Sequence, residues 1–180
     1  MKFFQSLALI SMTLYVIGCT HVTSNYGASP KNVDLIKSSG VKEISVGEFT
    51  SKSGNHTSIT CRAAGPVKNK NDLSFEDYIE GALKNELQMA GAYKDDAEVK
   101  ISGLIDKLDF NSNIGAGKWM INATISSPNS SGYSITSTHE FSTNFVADKA
   151  CQQVAQAFEP AVEEFINKII SHPKFSSLAK

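Results

Sequence analysis

The stretch AEVKISGLIDKLDFNSNIGAGKWMINATISSPNSSGYSITSTHEFSTNF, residues 97–145, decides the fold. Within KWMINATISS (118–127), Trp119, Ile121, Ala123 and Ile125 alternate with other residues, the period of a strand with one buried face. PNSSG (128–132) is turn chemistry, and Tyr133, Ile135, Phe141 and Phe145 mark a returning strand. The pair therefore reads as a hairpin. Upstream, AEVKISGLIDKLDF (97–110) is a long strand. Val99 and Ile101 share one parity there; Leu104, Leu108 and Phe110 share the other. The change of parity predicts a bulge or bend near Gly103.

Amphipathic helices flank this strand run. Toward the C-terminus, residues 147–171 place Cys151, Val154, Ala155, Phe158, Val162, Phe165, Ile166 and Ile169 along one helical stripe. Asp148 suits the start of that helix. Pro160 removes one backbone donor and is expected to kink the helix near its middle. Toward the N-terminus, Ser74 and Asp77 have the spacing of a capping box. Phe75, Tyr78, Ile79, Ala82, Leu83, Leu87 and Ala90 then recur every three or four residues, and Gly91 is a suitable stop. Before this helix, VKEISVGEF (41–49) and TSITCRA (57–63) read as two further strands, with Pro66 and KNKND as a loop. The order β-β-α-β-β-β-α predicts an α+β, two-layer sandwich. Its largely antiparallel sheet is covered on one face by two amphipathic helices.

The chain begins MKFFQSLALISMTLYVIG (1–18). One Lys precedes an apolar run about half as long as the roughly 20 residues of a membrane-spanning helix, the pattern of a secretory signal. Val16-Ile17-Gly18-Cys19 resembles the lipobox of bacterial lipoprotein precursors. That resemblance implies acylation of the Cys19 thiol, palmitate included, and cleavage between Gly18 and Cys19. It also implies a membrane anchor held by several acyl chains. Thr20, rather than Asp, follows the cysteine, which favours the outer membrane over the inner. Residues 19–40 are polar and read as a lipidated N-terminus and flexible tether, although Val33, Leu35 and Ile36 offer side chains for docking a short element. Residues 41–180 read as a single periplasmic domain.

Composition narrows the function. The 180-residue chain has a formal charge of −1, and loss of Lys2 with the signal leaves it slightly more acidic. That balance is no footprint for nucleic acid. Of three cysteines, Cys19 is assigned to lipid, leaving Cys61 and Cys151. In an oxidising compartment these can pair, closing a loop of about 90 residues. The alternative is two buried, reduced thiols acting as small apolar groups.

Chemical motifs fail on inspection. GAGK (115–118) lacks the earlier Gly and the following Ser or Thr of a phosphate-binding loop. His139-Glu140 lacks the second His of a zinc protease helix, since residue 143 is Thr. His21, His56, His139 and His172 show no ligand spacing and read as surface residues. No Gly-x-Ser-x-Gly elbow occurs, and Asp106 and Asp109 read as solvated. No catalytic residue, metal site or cofactor is expected. Trp119, the one tryptophan, reads as core or rim packing, with a ligand platform as the other reading. Trp119 and Tyr78 are the candidate ligand or partner surface.

The segments SFEDYIEGALKNELQMAGAY (74–93), WMINATISSPNSSGYSI (119–135) and AC-x-x-VAQAFEPAVEEFINKIISHPKF (150–175) together resemble a family of small, largely uncharacterised proteobacterial lipoproteins. The resemblance covers roughly residues 41–177. It implies an exported, lipid-anchored α+β domain and no particular activity. The element order is similar to that of YajG-type accessory lipoproteins and of auxiliary lipoproteins of envelope transport systems. Fold does not fix function. The reading is a non-enzymatic envelope protein that binds an envelope protein partner through a sheet edge or exposed face. The rival is a small-ligand or lipid-binding module, with a pocket lined by Phe75, Tyr78, Trp119 and Phe158. A cell-wall hydrolase ranks last, because no nucleophile and base can be assembled from motifs.

Overall fold

The computed structural model describes residues 19–128 and 130–178. The expected signal peptide, residues 1–18, lies outside the described residues. The expected hairpin is present, as β6 (Gly117–Ser127) and β7 (Ser130–Phe141). Antiparallel pairing sets Trp119 opposite His139 and Ile125 opposite Tyr133. On the other side β6 pairs antiparallel with β5 (Val99–Asn111), setting Trp119 opposite Phe110 and Ile121 opposite Leu108. The outer strand is β2 (Ile44–Ser51), which runs parallel to β5. The four-stranded order is β2-β5-β6-β7.

The bulge in β5 falls between Ile105 and Lys107, a little beyond the expected Gly103. Ile101, Gly103 and Ile105 share the buried face, and Leu108 takes it over after the slip. Leu104, expected on the Leu108 side, is exposed. Gly103 answers a different need. A Cβ there would stand 2.3 Å from the Phe49 ring, which lies directly over it.

Two long helices cover the sheet, α2 (Phe75–Met89) and α3 (Ala147–Ser171). The capping box of α2 is complete: Ser74 Oγ accepts from Asp77 N at 3.0 Å, and Asp77 Oδ2 accepts from Ser74 N at 3.3 Å. Gly91 ends the helix at φ +71°. Helix α3 continues through Pro160, which has no N–H to offer the Gln156 carbonyl. Phe158, Val162, Phe165, Ile166 and Ile169 on α3 and Ile79, Leu83 and Leu87 on α2 are fully buried against the sheet. The fold is thus the expected α+β arrangement, helices on one face of a mostly antiparallel sheet.

Three segments depart from expectation. The strand expected over 57–63 is shorter, β3 (Ser58–Thr60), and lies outside the main sheet. It pairs with β4 (Pro66–Lys68), where a loop was expected, and β4 pairs with β1 (His21–Val22). These three form a separate small sheet. The expected tether is also structured. It supplies β1 and then α1 (Pro30–Ser39), with Pro at its first turn and Gly40 at φ +69° closing it. Asn32, Val33 and Ile36 are buried. The physical reason is that half of this docking is polar. Ser29 and Asn32 are satisfied by glutamates from distant helices, partners that a local composition count does not see. The returning strand, finally, stops at Phe141, so Phe145 belongs to an exposed connection. A short α4 (Phe175–Leu178) packs Phe175 and Leu178 beneath the end of α3.

Candidate functional site

The described chain starts at Cys19, whose thiol is free and exposed. It does not stand away from the domain. A Cβ on Gly65 would collide with Cys19 O at 1.8 Å, so Cys19 lies flat on the 61–65 turn. Two residues on, His21 is buried and its Nε2 donates to Ala64 O at 3.1 Å. Asp148 Oδ1 lies 3.8 Å from the same nitrogen. The turn is fixed from below by a disulfide. Cys61 and Cys151 are bonded, both with no exposure, joining the end of β3 to the first turn of α3. Arg62, at φ +47°, reaches from this turn to the β5–β6 and β7–α3 connections. It donates to Ser112 Oγ at 3.1 Å, to Ser112 O, and to Phe145 O at 3.4 Å. Thr143 Oγ1 donates to Asn113 O, tying those two connections to each other. An open groove of about 530 Å³ runs beside Cys19, lined by Thr23, Lys70, Asp148, Gln152 and Gln156.

A second polar centre lies at the junction of α1, α2 and α3. Glu86 has no exposure. Its Oε1 accepts from Tyr26 Oη at 2.6 Å, Ser29 N at 2.9 Å and Asn32 Nδ2 at 3.3 Å. Ser29 Oγ donates to Glu163 Oε1 at 2.7 Å, and Asn32 Nδ2 donates to Glu163 O at 3.1 Å. Burial, together with the Glu86 carboxylate, holds the Tyr26 phenol far above its usual pKa. The centre is a clasp for the N-terminal segment. One signal could have revealed it: Glu86 falls on the same helical stripe as Ile79, Leu83 and Leu87.

Trp119 and Tyr78 are not a surface. Trp119 is fully buried and its Nε1 donates to Val154 O at 2.9 Å. Tyr78 is 9% exposed, and its hydroxyl donates to Ser24 O at 3.0 Å. The four side chains expected to line a pocket pack on one another instead. Phe158 has ring centroids of Phe75, Trp119 and Tyr78 within 4.9, 4.8 and 5.0 Å. An alternating strand puts its aromatic where the covering helix lands, and α3 closes that space.

The four histidines lie apart, each with its own polar or ring partners. His56 Nδ1 meets the buried Glu76 at 2.9 Å and His139 Nδ1 meets Glu164 at 3.3 Å. His172 stacks on Tyr133 with 3.9 Å between centroids. His21 is the correction, being buried rather than at the surface. Asp106 pairs with Lys52 at 2.5 Å. Among the described residues no three His, Cys, Asp or Glu gather as a metal group. No described helix is long and apolar enough to cross a membrane.

Fold and site together define an α+β two-layer domain with a disulfide-stapled N-terminal sheet. No family model matches the chain, and no curated protein matches it in sequence. Among solved structures it is similar to protein XCC0632 from Xanthomonas campestris, of the uncharacterised family DUF330. The TM-score is 0.55 at 10% identity, over 88% of this chain and 96% of that one. That likeness is one of fold.

Proposed function

We propose that this chain is an envelope lipoprotein with no catalytic chemistry of its own, anchored by acyl groups on Cys19 and binding a protein partner along β7. The anchor is read as seated in the outer membrane, with the domain in the periplasm. The observation that carries the binding reading is the position of β7. It is a 12-residue strand at the edge of the sheet, with Ser134, Thr136 and Thr138 exposed on its outer face. A long edge strand presents backbone donors and acceptors to an incoming strand, which is how many domains take peptide segments. Lys168 Nζ donates to Thr136 O at 3.2 Å, a local charge that discourages indiscriminate pairing. The exposed Cys19, the lipobox ahead of it and the disulfide all suit an exported, oxidising address. The fold similarity to a proteobacterial DUF330 protein is compatible with it.

Photo-crosslinking in intact cells tests the reading. A benzophenone amino acid at Ser134 or Thr138 is expected to give a discrete protein adduct. The same probe at Asp34, exposed on α1, is expected to give none. No adduct from β7, or equal adducts from Asp34, overturns the β7 site.

A further inference from the structure

The anchor has almost no leash. Cys19 is two residues from His21, which is already paired with Val67 of β4. Two residues extend at most about 7 Å. Cys19 does not use even that length, because its carbonyl rests on Gly65. Acyl chains on this residue would therefore enter the bilayer at the surface of the domain itself.

The same end of the molecule gathers four of the exposed large apolar side chains, including the two most exposed. Phe145 is 78% exposed, Ile114 63%, Val146 51% and Val22 44%. They belong to three neighbouring segments joined by the bonds described above. Val22 follows the buried His21, whose ring is held by Ala64 O. Arg62, in that same turn, binds Ser112 O and Phe145 O. Ile114 is one residue past Asn113, which is bonded to Thr143. The ends of β5 and β7 and the starts of β6 and α3 all meet here. Fixing these connections by Arg62, Thr143 and the Cys61–Cys151 bridge is what keeps such a patch in place instead of letting it fold inward.

We infer that this end of the domain lies on the bilayer, with Phe145, Val146, Ile114 and Val22 seated in the headgroup and acyl boundary beside the anchor. The partner is a lipid surface, because the short leash leaves little room for anything else between anchor and patch. The inference rests on the acylation of Cys19 proposed above. The patch then fixes how the domain stands on the membrane, and β7 lies along a sheet that rises from it. Each apolar side chain taken into the interface raises the bound population roughly tenfold or more, which is small beside the acyl chains and enough to select one orientation.

The test uses the mature acylated full-length protein in phosphatidylethanolamine–phosphatidylcholine vesicles. Variants Phe145→Cys, Ile114→Cys and Ser134→Cys each carry an environment-sensitive fluorophore on the new thiol. Lipids with doxyl groups on the upper acyl chain are expected to quench labels at 145 and 114 several-fold more than the label at 134. Intact mass of the same preparation reports the acyl groups on Cys19. Acylated protein with equal quenching at all three positions overturns the orientation and leaves the anchor reading standing. Protein that lacks acyl groups overturns the anchor, and with it this placement.

Discussion

Cys61 and Cys151 show how much one covalent bond decides in this chain. Each is fully buried, and the bridge closes 90 residues that include α2 and the entire main sheet apart from β2. On the chain-entropy account, closing a loop of that length stabilises the fold by about 4–5 kcal/mol. The double variant Cys61→Ala/Cys151→Ala is expected to lose about that much in urea unfolding, and reductant is expected to have no further effect on it. A loss under about 1 kcal/mol would mean that the staple holds something already fixed by packing. The two thiols were legible as a pair once the sequence reading set Cys19 aside for lipid. What the bond joins was not legible. It ties the small sheet to α3, and that sheet includes a strand drawn from the supposed tether.

At the scale of elements, the N-terminal segment teaches the most. Its composition is that of a linker, yet β1 and α1 pack against α2 and α3. The docking runs through Glu86, whose Oε1 accepts three donors at once. Glu86→Ala strands those donors in the interior and is expected to cost about 2–4 kcal/mol. Glu86→Gln keeps an acceptor oxygen at the same place and is expected to cost clearly less. Hydrogen exchange should speed up first over residues 20–40 in the alanine variant and hardly at all over β5–β7. Uniform acceleration would show that the clasp is not local. The amphipathic helices and the hairpin, by contrast, were readable, because their periods repeat over many residues and each repeat adds to the signal. Short strands of three residues carry too few repeats to be told from loops, which is why β4 was missed and β3 misplaced.

Over the whole molecule, three phenols report on different parts of the same core. Tyr26 sits in the N-terminal segment, Tyr78 on α2, and Tyr133 on β7, where its hydroxyl donates to Ile169 O at 2.7 Å. Burial pushes the pKa of all three well above the ordinary tyrosine value, with Glu86 adding to the effect at Tyr26. The folded state then holds these protons more tightly than the unfolded chain does. Their contribution is complete below the unfolded pKa of about 10 and is lost as pH rises beyond it. Unfolding free energy is expected to fall above about pH 10, by up to about 1.4 kcal/mol per pH unit for each phenol that stays protonated only when folded. Denaturant titrations at a series of alkaline pH values measure that slope, and Tyr133→Phe should make it shallower by one phenol's share. A flat profile to pH 11 would contradict the burial of these hydroxyls.

Sequence by itself determined the class of fold. Alternation over 118–127, the turn at 128–132, the capping box at Ser74 and the stripe of α3 are local patterns, and local patterns survive in one dimension. Only the tertiary structure decided the fate of the side chains with a choice. Trp119 could face ligand or core, and α3 arriving over β6 made it core. Ser29 and Asn32 could sit in a tether or a clasp, and Glu86 and Glu163, from α2 and α3, made them a clasp. Phe145 could end a strand or stand exposed, and its place beside Cys19 follows from Arg62 bridging segments far apart in the chain. In each case the deciding partner is remote in sequence, so its identity enters only when the chain has folded.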